Sequence, residues 1–306
     1  MVIDEAQNTG AEESLDVSVV IPAYNEELAI REELEAIHGV LAATQLRYEV
    51  IVVDDGSTDR TAEIAEACDC RLIRQPANRG YGASLKRGIS QARAERIVIT
   101  DADGTYPAEW IPALLAEADR YDMVVGARIG ENVHRSLVRA PAKWFLRKLA
   151  GFLAGQPIPD LNSGLRVMKR RHVQLFSRIL PSGFSFTTTI TLSLMCTDRS
   201  VGYVAVDYRQ RTGNSKIRPS HAYHFLILIL RTIVLFNPLK VFLPLGAIAF
   251  VAGAAKFAYD VTLENLSESA VMALLGAVIV WTVGLLADQN ARLNLERWDS
   301  QLPTHD

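Results

Sequence analysis

The chain has 306 residues, 49% of them apolar and 22% charged, enough for a globular domain with its own core and a smaller second region. That balance excludes a disordered or collagen-like chain. With 32 Lys plus Arg against 35 Asp plus Glu, the net charge of −3 gives no reason to expect a nucleic-acid partner.

The first 16 residues carry five acids and no base, and they lack the basic start and apolar core of a secretory signal. They read as a flexible acidic tail. Short β-rich runs follow at 17–21, 49–53, 71–74, 96–100 and 122–126, with helical patterns between the first four. The fold class is therefore α/β with a mostly parallel sheet. Helix starts are legible where Asn25 precedes Glu26 and Glu27, and where Thr58 or Asp59 opens the segment 60–67. Cys68, Cys70 and Cys196 are too few for a disulfide framework, and the first two lack the second pair of a zinc site, so a reducing compartment is expected.

In such sheets ligands sit beyond the carboxyl ends of the strands. There the first run ends in Pro22-Ala23-Tyr24-Asn25-Glu26, the second in Asp54-Asp55-Gly56-Ser57 and the fourth in Asp101-Ala102-Asp103-Gly104. Each cluster alone has a plain explanation as a cap or turn. Together they converge carboxylates on one edge. Asp101 and Asp103, two residues apart in a turn, suit Mg²⁺ or Mn²⁺ bridging a nucleotide diphosphate, because hard cations take oxygen ligands and keep positions open for phosphates. Asp55 is placed to accept from a base or ribose hydroxyl. The run Gly80-Tyr81-Gly82 resembles the start of a dinucleotide fingerprint, but it follows the third strand and lacks the third glycine, and no Walker A lysine motif is present. Residues 78–82 read instead as a tight loop at a helix start, touching the nucleotide.

Val-Val-Ile-Pro-Ala-Tyr-Asn-Glu from Val19, Val-Val-Asp-Asp-Gly-Ser from Val52, Asn78-Arg79-Gly80 and Asp101-Ala102-Asp103 stand in the order and spacing of inverting family 2 glycosyltransferases of GT-A fold. Leu161-Asn162-Ser163-Gly164-Leu165-Arg166 and Arg211-Thr212-Gly213-Asn214-Ser215-Lys216 resemble the branch of dolichyl-phosphate mannose synthases and bacterial polyprenyl-phosphate glycosyltransferases. The similarity covers residues 17–242. It implies that Pro22, Tyr24, Glu26 and Asp55 hold the nucleoside, with Asn78, Gly80 and Ala102 beside the nucleotide sugar. Asp101 and Asp103 would bind the metal and diphosphate, Asp103 as a catalytic group, while Arg211 and Lys216 reach the donor phosphates. Arg128, Arg139 and Lys143 would bind an acceptor phosphate, for which the planar arginine fork is suited. Asp160 matches an acid that serves either as a base or in a structural or positioning role. Mannose synthases of the group often carry Leu-Gln after the second Asp, where this chain has Gly104-Thr105, a poorer ligand. The Gln-x-x-Arg-Trp motif of polymerising members is missing, which points to transfer of a single sugar.

Beyond the fifth run the chain turns basic: residues 128–218 hold 16 Lys plus Arg and four acids. On a helical wheel 142–153 places Phe145, Leu146, Leu149, Phe152 and Leu153 on one arc and Arg139, Lys143 and Arg147 on another, so an interfacial helix is expected over about 141–154, with Trp144 marking the interface. Segment 225–236 is apolar, interrupted by Arg231 and closed by Asn237-Pro238; it reaches only about 18 Å, too short to span a bilayer. It reads as a second interfacial helix within 219–237, and packing on the sheet is the alternative for both. His221 and His224, three apart with no nearby acid, do not make a metal site. The runs 241–259 and 270–287 carry Lys256 as their one charge and reach about 28 and 27 Å, near the thickness of a bilayer core. Two membrane helices are the natural reading, and a buried helix pair is the alternative. Arg231 and Lys240 precede them, Arg292 and Arg297 follow, and the connector carries Asp260, Glu264 and Glu268 but no base, so both ends, including the tail 289–306, are expected in the cytoplasm.

A phosphate monoester is largely dianionic at cytoplasmic pH, with a second pKa of about 6, and attacks without a strong base. The expected activity is transfer of one hexose, with inversion, from a nucleotide diphosphate sugar (GDP-mannose, UDP-glucose or UDP-GlcNAc) to polyprenyl phosphate at the cell membrane, by a chain able to form homo-oligomers. Transfer to a diacylglycerol or a protein, and a non-catalytic lipid-phosphate-binding scaffold, stay open at this point.

Overall fold

The computed structural model describes residues 14–128, 148–152, 154–209, 221–264 and 267–299. Its strands are β1 (Val17–Ala23), β2 (Tyr48–Asp54), β3 (Arg71–Arg74), β4 (Arg96–Ile99), β5 (Met123–Arg128), β6 (Arg166–Lys169) and β7 (Val201–Val206). They form one sheet in the order β3-β2-β1-β4-β6-β5-β7. Strands β1 to β4 run parallel, β5 and β7 pair in parallel, and β6 runs against both of its neighbours, β4 and β5. The five expected strands are present in a mostly parallel sheet. The sequence reading named neither β6 nor β7. β6 has only four residues, begins and ends on a base, and shows no period-two alternation; flanking strands supply its pairing.

The central strands read as continuous apolar runs because both faces are covered. On one face lies α1 (Ile30–Ala42), which buries Ile30, Leu34, Ile37 and Leu41 at helical spacing, together with α2 (Thr61–Glu66) and α4 (Ile111–Glu117). On the other lie α3 (Tyr81–Gln91), α5 (Arg170–Phe176) and α6 (Phe186–Cys196). Gly88 lets α3 settle on the sheet: a Cβ there would stand 2.4 Å from Val20 Cγ1 and 2.9 Å from Val53 Cγ2. The acidic opening is anchored at its end, where Asp16 donates from N to Arg47 O (2.8 Å) and accepts from Arg47 N at 2.8 Å.

At the edge away from the strand-end acids, Asp122 gathers β5, β6, α5 and β7. It accepts from Lys169 Nζ (2.8 Å), Ser200 N (3.0 Å) and, at 3.1 Å, His172 Nε2. Burial pushes the His172 pKa down to about 4, against the pull of Asp122, so the ring is neutral and its Nδ1 is a buried acceptor with no partner.

Helix α7 (His221–Phe236) turns Ile229, Thr232, Ile233 and Phe236 into the protein and leaves Ile227 exposed; Phe236 meets Phe176 edge-on at 5.9 Å. The apolar segment expected at the interface thus has one face packed on the α/β core. Helices α8 (Leu239–Thr262) and α9 (Glu268–Asp299) form a hairpin. Only 11% and 17% of their apolar windows are buried, which separates them from the core helices of a soluble domain, and both are long and apolar enough to cross a membrane. Gly246 admits Trp281 at the crossing, and Trp281 Nε1 donates to Leu243 O at 3.2 Å. Helix α9 runs past the expected end of its apolar stretch, supported by the Arg292–Asp288 pair one turn apart, and Leu295 packs against the apolar cluster to which α7 contributes. Of the basic helix expected over about 141–154, residues 148–152 and 154 are helical, with Ala150 and Ala154 buried and Phe152 exposed; 141–147, including Trp144 and Arg147, and 153 lie outside the described residues.

Candidate active site

The loops after β1 and β2 are stitched together before any ligand is considered. Asn25, at φ +56°, accepts from Thr58 N at 2.8 Å, and its own N donates to Ser57 Oγ at 3.0 Å. Glu26 N donates to Thr61 Oγ1 at 2.8 Å. Asp59 accepts from Thr61 N (3.0 Å) just ahead of α2, whose cap position is Arg60 rather than the expected Thr58 or Asp59. The result is a rigid rim on which half-buried Pro22, Tyr24 and Glu26 stand.

Asp55 is 3% exposed and takes a structural load. Its Oδ1 accepts from Arg79 N (2.8 Å) and Gln75 Nε2 (2.9 Å), and its Oδ2 from Gly80 N (2.8 Å). The carboxylate thus shapes the 78–80 loop, with Gly80 at φ +96° and Asn78 exposed, and α3 begins at Tyr81. This is the tight loop at a helix start read from the sequence.

The Asp101–Gly104 turn lies beyond β4, on the strand next to β1. Tyr81 Oη donates to Asp101 Oδ1 at 2.9 Å, linking the glycine loop to the acid turn. Thr105 is 1% exposed and donates from Oγ1 (2.6 Å) and N (3.2 Å) to Asp103 Oδ1. Thr105 therefore orients Asp103. Gly104 turns the chain at φ +68°, and Ala102 between the two acids is buried. A third carboxylate comes from α1: Glu33 is 5% exposed, its Oε1 has no partner, and burial followed by the charges of Asp103 and Asp101 pushes its pKa up to about 8. Two aspartates on one turn offer the oxygen ligands that a hard divalent cation takes.

The segment 160–165 closes the other side. Arg128, at the end of β5, donates from Nε (2.6 Å), Nη2 (2.9 Å) and its own N (3.3 Å) to the Asp160 carboxylate, and its guanidinium lies 5.2 Å from the Tyr208 ring centre. Burial opposes the charged form of Asp160, but the Arg128 hydrogen bonds and charge prevail and hold its pKa below the ordinary range. Such a carboxylate is a poor proton acceptor and a good anchor for Arg128. Gly164 sits against the acid turn: a Cβ there would fall 2.4 Å from Asp101 Oδ2. Its N donates to Tyr106 Oη at 2.8 Å. Behind it Arg166, fully buried, donates to Ser163 O (2.8 Å), Leu161 O (2.9 Å) and Thr191 Oγ1 (2.6 Å), which ties the segment to α6. Arg209 N donates to Thr105 O at 2.9 Å, so the chain leaves β7 beside the acids.

Pro22, Tyr24, Glu26, Asp55, Asn78, Gly80, Asp101, Ala102, Asp103, Arg128 and Asp160 thus fall on strand ends and loops at one edge of the sheet. Arg139, Lys143, Arg211 and Lys216 lie outside the described residues. Sequence reasoning did not single out Glu33, Tyr81, Gly164 or Arg166 as site residues. Glu33 had a signal, an acid on the apolar stripe of α1; Gly164 and Arg166 lay in a quoted motif, but their contacts depend on β6.

Residues 18–176 match the family Glycosyl transferase family 2, and residues 237–293 match the GtrB C-terminal hairpin. A dolichyl-phosphate hexose transferase of Haloferax volcanii is 35% identical over 67% of this chain and 87% of its own length. A dodecaprenyl-phosphate galacturonate synthase of Rhizobium johnstonii is 27% identical over 92% of this chain and 89% of its own. Both relatives are polyprenyl-phosphate sugar transferases. Among solved structures, the glucosyl-3-phosphoglycerate synthase of Mycobacterium tuberculosis with Mn²⁺, uridine-diphosphate-glucose and phosphoglyceric acid shares the fold, at TM-score 0.57 and 20% identity over 72% of this chain and 80% of that one. With its strand-end acids on a sheet of that fold and the family match covering half of its length, the chain belongs to glycosyl transferase family 2 and is a glycosyltransferase.

Proposed function

We propose that the protein transfers one hexose from a nucleoside diphosphate sugar to polyprenyl phosphate, with inversion, at the cytoplasmic face of the cell membrane. The observation that carries this reading is the Arg128–Asp160 pair. A carboxylate held by three donors of one arginine is unsuited to deprotonate an alcohol, whereas a phosphate acceptor needs no such base. An acceptor phosphate oxygen attacks the anomeric carbon. The bond from that carbon to the diphosphate oxygen breaks, and the nucleoside diphosphate leaves with the electron pair. Asp101 and Asp103 are the residues that would hold Mg²⁺ or Mn²⁺, which when bound neutralises charge developing on the departing diphosphate. Tyr81 and Thr105 hold the two carboxylates in place, Arg128 faces the acceptor phosphate with Asp160 fixing its plane, and the β1 and β2 loops orient the nucleoside. By the family resemblance, Arg139 and Lys143 would also bind the acceptor phosphate, and Arg211 and Lys216 the donor phosphates.

Helices α8 and α9 would anchor the enzyme in the bilayer. Arg231, Lys240, Arg292 and Arg297 stand at the ends and only acids in the connector, which supports cytoplasmic termini. Their exposed apolar faces also suit contact between copies. The test supplies purified protein with Mn²⁺ or Mg²⁺, polyprenyl phosphate and a panel of GDP- and UDP-sugars, with mass spectrometry of the lipid. A polyprenyl-phosphate hexose from one donor is the expected product; consumption of no donor overturns the reading, and a glycosylated diacylglycerol or protein with no polyprenyl product replaces the acceptor.

A further inference from the structure

Helix α1 presents Ile30, Leu34, Ile37 and Leu41 to the core, and Glu33 shares that inward face. A carboxylate in such a place is costly unless something answers it. Its Oε1 is buried and without a hydrogen-bond partner. Its surroundings are mostly repulsive, with Asp103, Asp101 and Glu109 acting on it against Arg209. The acid turn lies directly over it, since a Cβ on Gly104 would stand 3.9 Å from Glu33 Oε2. On the turn itself, the Thr105 hydroxyl donates to Asp103 and holds that carboxylate in place.

We infer that Glu33 is a positioning residue for the divalent cation of this enzyme, supplying from α1 the third protein carboxylate that the acid turn lacks. Among the described residues no three acids close on one point, so Glu33 acts through a water on the cation rather than as a direct ligand. The inference deepens the proposed function and rests on its reading of Asp101 and Asp103 as the cation's ligands. An apolar residue would satisfy the packing of α1 at position 33, and the orphaned oxygen is what packing alone leaves unexplained.

The experiment titrates Mn²⁺, with no donor or acceptor, into the full-length protein in detergent and reads free Mn²⁺ by electron paramagnetic resonance. Wild type, Glu33→Gln, Glu33→Asp, Glu33→Leu and Asp103→Ala are compared. Glu33→Gln and Glu33→Leu are expected to weaken Mn²⁺ binding about tenfold or more, with Glu33→Asp recovering part of it and thermal melting without metal no lower than wild type for Glu33→Gln. Unchanged Mn²⁺ affinity in Glu33→Gln and Glu33→Leu, alongside loss in Asp103→Ala, overturns the role of Glu33 while leaving the acid turn in place. Unchanged affinity in Asp103→Ala overturns the underlying reading of the turn.

Discussion

The two halves of the site are built differently. On the side of β1, β2 and β4, polar side chains mostly hold the backbone of neighbouring loops: Asn25 holds the Thr58 amide, Asp55 the amides of Arg79 and Gly80, and Thr105 fixes Asp103. On the side of β5, β6 and β7, arginines do the holding: Arg128 is bound to Asp160, and Arg166, buried behind the segment that carries that acid, donates to its carbonyls and to Thr191. The first half gathers acids and is shaped for a ligand that brings positive charge. The second holds a neutralised pair, in which Asp160 fixes the plane of the Arg128 guanidinium. Preorganisation by backbone hydrogen bonds on one side and by a buried ion pair on the other is what the contrast teaches.

The strongest way to break the comparison is to remove an acid from the first half. Asp103→Ala is expected to lower kcat about 10²–10³-fold with both donor and acceptor at saturation, and an activity within threefold of wild type would deny the acid turn its role. Gly164→Ala tests whether the halves must touch. Its Cβ would intrude on the Asp101 carboxylate, and a displacement of that size is expected to cost about 10²-fold in kcat/KM; undiminished turnover would mean the two loops move independently.

Arg128→Ala sharpens the contrast. It is expected to raise the KM for polyprenyl phosphate at least tenfold while the nucleotide Kd, measured by calorimetry, stays within twofold; equal losses in both would contradict a division of labour. Asp160→Asn keeps the shape of the pair and removes its charge, so a loss of only about tenfold is expected, as for one weakened charge-assisted bond. Abolished turnover with intact donor binding would instead make Asp160 a base and favour an alcohol acceptor.

The smallest effect concerns stability far from either half. The His172 pKa is depressed from 6.5 to about 4 by burial, so the folded state takes up fewer protons than the unfolded one between those values. Stability is full above pH 6.5 and falls as pH drops towards 4, by at most about 1.4 kcal/mol per pH unit from this group. Asp122, whose pKa is also lowered, adds to the loss below the ordinary Asp range. A melting profile from pH 7 to 4 is expected to flatten in His172→Asn over that window, and an unaltered slope would remove His172 from the account.

Much of the first half was legible because its signals are local. Strands buried on both faces read as apolar runs, and the polar residues at their ends fall where parallel sheets bind ligands, so Asp55, Asp101 and Asp103 stood out before any geometry. The bilayer-length runs of α8 and α9 were equally plain, since length and composition alone define them. The second half was less readable. β6 is four residues long and enters the sheet against the direction of its neighbours, and Arg166 within it looks like a surface base until the fold buries it. Asp160 illustrates the same limit, because base and anchor are indistinguishable in sequence and differ only in whether an arginine grips the carboxylate.

From the amino-acid order came the α/β class, the acid turn and the apolar hairpin, each written in spacings of a few residues that backbone geometry converts directly into structure. The tertiary structure alone decided which partner each charge has: that Asp55 shapes a loop, that Thr105 serves Asp103, that Asp160 is bound, and that Glu33 on α1 lies buried beside the acid turn. Those pairings join residues many positions apart, and hydrogen bonds and charges act over a few ångströms of space, which a one-dimensional sequence does not measure.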